Sequence, residues 1–101
     1  MKRLEDKTAI ITGSGAGIGK EIAIAYAKEG ANVVIADFNE EALQSTVNEL
    51  TESGFSAFGV KVNVANEENV QKMVTSTIEH FGRIDILVNN AGVGDNMQAA
   101  A

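Results

Sequence analysis

The feature that most restricts how this chain can fold is a repeated switch of apolar period. "TAIIT", Thr8 to Thr12, is short, β-branched and apolar on successive residues, which is the pattern of a strand covered on both faces. From Gly17 the period lengthens, and Ile18, Ile22, Ala25 and Tyr26 recur at helical spacing up to Gly30. "ANVVIA", Ala31 to Ala36, is a second buried-strand run. Asn39 then stands as an N-cap ahead of Glu40 and Glu41, and Leu43, Val47 and Leu50 mark one face of a helix that Gly54 closes. "SAFGVKVNV", Ser56 to Val64, is less uniformly apolar, as an edge strand would be. Asn66 caps a third helix with Glu67 and Glu68 in its first turn; Val70, Met73, Val74, Thr77, Ile78 and Phe81 form its stripe, and Gly82 ends it. A fourth strand is expected over Ile84 to Val88.

The order is therefore β-α-β-α-β-α-β, with a glycine after each helix to supply a left-handed turn. Strands separated by helices pair in parallel, and right-handed crossovers place those helices on both faces of the sheet. The predicted architecture is α/β: a doubly wound parallel sheet, Rossmann-like, of strand order 3-2-1-4 in a three-layer αβα sandwich. A chain of 101 residues supports one domain with a thin core. The net charge of −6, without a Lys/Arg cluster, argues against nucleic acid and anionic lipid as partners. No apolar run approaches the roughly 18 residues of a membrane span, and "MKRLEDKTA" has a basic start without the apolar stretch of an export signal. The absence of cysteine removes disulfides and thiolate metal sites, and the single histidine removes a multi-His centre; a cytoplasmic location is the expectation.

"ITGSGAGIGKEIA", Ile11 to Ala23, sets Gly13, Gly15, Gly17 and Gly19 at alternate positions where strand one hands over to helix one. Glycines there let a diphosphate lie against main-chain N–H groups at the positive end of a helix dipole. The plainer reading is a turn that lets strand and helix pack closely. The pattern G-x-G-x-x-G is not met, because Ile18 and Lys20 fall where its third glycine would stand, and Glu21 after Gly19-Lys20 rules out a P-loop. Asp37 ends the second strand, where a carboxylate can accept from both hydroxyls of an adenosine ribose and repel a 2′-phosphate; alone it could also be an acid in a polar turn. "NNAG", Asn89 to Gly92, follows strand four, and could be an ordinary turn. In a 3-2-1-4 sheet, however, strands one and four flank the point where the order reverses, and ligands bind outside the carboxyl ends of strands at such a point.

Taken together, Thr12-Gly13-x-x-x-Gly17-Ile18-Gly19, Asp37 and Asn89-Asn90-Ala91-Gly92 resemble the short-chain dehydrogenase/reductase family over essentially the whole chain. The resemblance implies that Gly13, Ser14, Gly17, Ile18 and Gly19 line a cofactor diphosphate, with Asp37 and the adjacent Phe38 at the adenosine ribose. Asn63 and Val64 match the pair that meets the adenine, although the family more often has Asp where Asn63 stands; Asn90, Ala91 and Gly92 approach the nicotinamide ribose. Relatives that prefer NADP often carry a basic residue at the place of Ala16 or just after strand two, so Ala16 and Asp37 point to NAD.

The family's catalytic Ser and Tyr-x-x-x-Lys lie downstream of NNAG, so no residue of this chain is assigned a catalytic role. Tyr26 reads as core, as does Met73, and His80 as a helix-terminal residue that suits the dipole. The resemblance thus implies the N-terminal part of a single NAD-binding domain, residues 1–101, in a larger enzyme that interconverts an alcohol and a ketone and forms a homodimer or homotetramer. A 3-oxoacyl thioester reductase using NADPH is the nearest competitor, and a non-catalytic dinucleotide-binding module is the alternative from another class. A flavodoxin-like or receiver domain is disfavoured, because Thr12, Gly13 and Asn63 stand where a receiver wants acids.

Overall fold

Parallel strands covered on both faces are buried along their length, and the first strand, TAIIT, is buried at every position, its two threonines included. A computed structural model describes residues 3–91. Its elements are β1 (Thr8–Thr12), α1 (Gly17–Lys28), β2 (Asn32–Asp37), α2 (Glu40–Glu52), β3 (Ala57–Lys61), α3 (Glu67–Phe81) and β4 (Ile86–Val88). The four strands form one parallel sheet in the order β3-β2-β1-β4, as the sequence predicts. Ile10 is the register partner of Val34 on one side and of Leu87 on the other.

Side chains alternate across the sheet and so feed two cores. Ala9, Ile11, Val33 and Ile35 face α1 and α2, packing with Ala23, Ala27, Leu43 and Leu50. Ile10, Val34 and Ala36 face α3, packing with Val62 and Met73. Both α2 and α3 begin at the predicted asparagine caps, and each helix ends in a glycine of positive φ: Gly30, Gly54 and Gly82.

Several strand bounds differ from expectation, with β2 and β3 each beginning one residue later, at Asn32 and Ala57. β2 extends past the apolar run to end at Asp37, where the sequence places the carboxylate, while β3 stops at Lys61 and β4 begins only at Ile86. In β3 the ladder to β2 ends where Asp37 pairs with Lys61, so Val62 to Val64 already belong to the loop. Just ahead of β4, Asp85 is tied to the start of β1: its N–H donates to Thr8 O (2.9 Å), and its carboxylate accepts from Thr8 N (2.8 Å) and from Arg83 Nε and Nη2 (2.9 and 2.8 Å). The Arg83 guanidinium and the Thr8 N–H hold the Asp85 carboxyl below its ordinary pKa.

The buried face of α1 also differs. Gly19, Ala23 and Ala27 are buried, Ile22 and Tyr26 only flank the core, and Ile18 is 74% exposed. The smallest residues of α1, at i, i+4 and i+8, are the ones that face inward, and at Gly19 an added Cβ would meet Gly13 O of the preceding turn.

Candidate functional site

The four alternate glycines turn out to do different things. Gly13 leaves β1 with φ +67°, and its N–H and that of Ser14 both donate to Ala36 O (2.7 and 3.3 Å), binding the turn to the end of β2. The Ser14 hydroxyl points inward, donating to Ile11 O (2.6 Å) and accepting from Ala36 N (3.1 Å). Gly15 is closed in: a Cβ there would stand 2.8 Å from Asp37 Oδ2 and 3.0 Å from Ala42 Cβ. At Gly19 a Cβ would meet Gly13 O and lie 2.7 Å from Asn90 Nδ2. Gly17 alone of the four has φ +63° and nothing within 4 Å of a built Cβ. Protein packing therefore accounts for Gly15 and Gly19, and Gly17 opens on free space.

That space lies at the start of α1, which is unlike the other two helix starts. Asn39 accepts from Ala42 N and Asn66 from Asn69 N, both at 3.0 Å, and each is followed by two glutamates. α1 begins instead at Ala16, which gives no side-chain cap, and has no acid in its first turn. Lys20 N is the first helical donor, to Ala16 O at 3.3 Å, so the N–H groups of Gly17, Ile18 and Gly19 have no acceptor within the helix. A terminus whose first two residues, Gly17 and Ile18, are exposed and whose dipole is uncompensated suits an anion.

The loop after β4 is tied to this turn by one hydroxyl. Thr12 Oγ1 accepts from Asn90 N (2.9 Å) and Ala91 N (3.0 Å), and lies 3.2 Å from Asn89 Oδ1 as donor. Asn90 Nδ2 donates to Gly13 O at 3.3 Å. The proximity of the "TG" and "NNAG" segments, expected from the strand order, thus has specific bonds behind it. Gly92 lies outside the described residues.

Asp37 sits half-buried at the end of β2 and is oriented by main chain: Oδ2 accepts from Gly15 N (2.8 Å) and Oδ1 from Asn39 N (3.0 Å). A cleft of about 330 Å³ opens beside it, lined by Gly13, Asp37, Phe38, Val62, Asn63, Val64 and Ala91. Six of the site residues expected from sequence are thereby brought to one place, from the loops after all four strands. Gly17 and Ile18 line a separate hollow along α1, with Glu21, Ile22 and Ala25. Val62, 2% exposed, forms part of the cleft and was not among the expected residues; its only signal was its place beside Asn63 and Val64. Lys61 Nζ hangs 5.5 Å from the centre of the Phe38 ring and 4.0 Å from Glu40 Oε1.

The fold and this cleft at the reversal of strand order define a doubly wound α/β domain of the nucleotide-binding kind. The chain belongs to the short-chain dehydrogenase family: the profile described as "short chain dehydrogenase" matches residues 7–101. It is 47% identical over 92 residues to the 7alpha-hydroxysteroid dehydrogenase of Escherichia coli (strain K12), and 46% identical over 94 residues to 3beta-hydroxysteroid dehydrogenase 2 of Eggerthella lenta. These matches cover 91% and 93% of this chain but 36% of each relative, so the chain spans about a third of their length. The crystal structure of hydroxysteroid dehydrogenase from Escherichia coli superposes with a TM-score of 0.86 at 46% identity, covering 88% of this chain and 37% of that one. The glucose dehydrogenase of Caenorhabditis elegans in the apo-form gives 0.84 at 39% identity, over 89% of this chain and 39% of that one.

Proposed function

We propose that residues 1–101 are the N-terminal, cofactor-holding part of a single Rossmann-type domain in an NAD(H)-dependent oxidoreductase that interconverts an alcohol and a ketone. The observation that carries the reading is the pairing of the Asp37 carboxylate with the bare start of α1 on either side of the Gly13 turn. A dinucleotide needs both features, an anion site for its diphosphate and an acceptor for its sugar hydroxyls.

The residues present fit such a ligand. The N–H groups of Gly17, Ile18 and Gly19 would face the diphosphate, while Asp37 would accept from the adenosine ribose and Phe38 and Val64 would flank the base. Asn90 and Ala91, fixed by Thr12, would stand on the nicotinamide side with Gly92, and Gly13 would let the ligand pass close to the main chain. Ser14 would act from beneath, by holding the turn to β2. NAD bound here would supply the hydride acceptor and NADH the donor; this chain's part is to bind and orient, and the acid–base groups are assigned to protein outside these residues. A carboxylate where NADP would carry its 2′-phosphate favours NAD through repulsion and lost ribose bonds. The hydroxysteroid dehydrogenases among the relatives make a hydroxysteroid the first substrate to try.

The test is titration of the protein in its natural length with NADH and NADPH, followed by fluorescence. Tighter NADH binding is expected. Asp37→Asn, which loses the charge and keeps an acceptor for only one of the Gly15 and Asn39 N–H groups, should narrow the gap about tenfold, since hydrogen bonds to charged groups are worth about 1.5–3 kcal/mol. A parent protein that prefers NADPH would overturn the assignment of NAD.

A further inference from the structure

A threonine inside a helix ordinarily turns its hydroxyl back onto a carbonyl one turn earlier. Thr51 on α2 and Thr77 on α3 do so, donating to Val47 O (3.0 Å) and Met73 O (2.8 Å). Thr46 does not: 1% exposed on α2, it donates instead to Gly15 O at 2.8 Å, a residue 31 positions away in the chain. Gly15 is thereby held at both of its polar groups, its N–H by Asp37 Oδ2 (2.8 Å) and its carbonyl by Thr46. In a trans peptide the carbonyl and the N–H that follows it point in opposite directions. With Gly15 O turned toward α2, the N–H of the exposed Ala16 points away from that helix, and it meets no acceptor among the described residues. Ala16 directly precedes Gly17 at the start of α1.

We propose that Thr46 is a positioning residue for the anion site: by holding the Gly15–Ala16 peptide it turns the Ala16 N–H outward, to join the donors at the start of α1 against the diphosphate of the dinucleotide. The inference rests on the dinucleotide reading above. Without the hydroxyl, Gly15 O would stand in a buried place with no donor, which is costly. The peptide is free to rotate, because a glycine has no Cβ to oppose the change. Rotation carries the carbonyl oxygen outward to where the N–H stood, so the anion meets a partial negative charge in place of a donor. Asp37 holds the preceding peptide, through the Gly15 N–H, and Asn39, so recognition of the ribose is separate from this effect.

The experiment measures dissociation constants for NADH and NADPH on the protein in its natural length, at a temperature well below the melting midpoint of each variant. Thr46→Val, nearly the same shape without the hydroxyl, should weaken both dinucleotides by about tenfold, the scale of one hydrogen bond to a charged group, because the diphosphate is common to them. Thr46→Ser restores the hydroxyl and should bind within about threefold of the parent. Thr46→Ala, which leaves a small cavity but crowds nothing, is a second variant without the hydroxyl and should match valine. A folded valine or alanine variant that binds NADH as tightly as the parent, a serine variant as weak as valine, or a loss confined to one of the two dinucleotides overturns the proposal while leaving dinucleotide binding intact. Failure of the parent to bind either dinucleotide removes the dinucleotide reading itself.

Discussion

Replacing Thr12 by valine tests the joint between the two loops that frame the cleft. Valine has nearly the same shape and keeps the β-branch that suits a strand, so what it removes is the hydroxyl. Thr12 is 3% exposed, and its oxygen accepts from two main-chain N–H groups, those of Asn90 and Ala91. Each donor stranded in a part-buried position loses about 1–3 kcal/mol. Both are half-buried and regain some water, so the lower part of that range applies, and the sum is about 2–3 kcal/mol. Urea unfolding monitored by circular dichroism should show the midpoint falling with an unchanged slope, because the loss concerns bonds and not exposed area. Thr12→Ser restores the oxygen and should recover most of the loss. A valine variant within about 0.5 kcal/mol of the parent, the range of ordinary surface changes, would refute the claim that this hydroxyl holds the β4 loop in place.

Two further outcomes follow from the packing and the charges. Gly19→Ala should destabilise by about 1–3 kcal/mol in the same assay, because its methyl group would meet Gly13 O and the Asn90 amide, neither of which can yield without shifting main chain or breaking a bond. Asp85 has a lowered carboxyl pKa in the folded chain, so its contribution is present above the unfolded pKa and is lost as pH falls through the folded one; Asp85→Asn should flatten the acid side of the stability–pH curve, and an unaltered acid limb would count against the Arg83 and Thr8 contacts.

How much could be read without coordinates depended on whether the signal was local. Asn39 and Asn66 were legible as caps because capping is settled within three residues, and the outcome is bonds to Ala42 and Asn69. Asp37, Phe38, Asn63 and Val64 could be placed together because parallel topology forces the strand ends to one edge. The buried face of α1 was not legible. Gly19, Ala23 and Ala27 carry almost no apolar signal, and that they face inward while Ile18 does not is a matter of tertiary packing that periodicity does not encode. Thr46 escaped notice for a similar reason: Leu43, Val47 and Leu50 do pack on the core as expected, but the Thr46 hydroxyl is fully buried beside them because Gly15 O, distant in sequence, takes its hydrogen bond. The four glycines looked like one cradle, although tertiary contacts divide them.

The anchoring of Asp37 has an evolutionary corollary. Its carboxylate satisfies the N–H of Gly15 and that of Asn39, so under the proposed reading one side chain both selects the cofactor and closes the fold around it. A lineage drifting toward a phosphorylated dinucleotide could not simply discard the acid, since the abandoned Gly15 donor would need another acceptor in a spot with no room for a Cβ. Changing cofactor at this position is therefore a path of at least two coordinated steps, and single substitutions along it should yield weakened proteins before they yield converted ones.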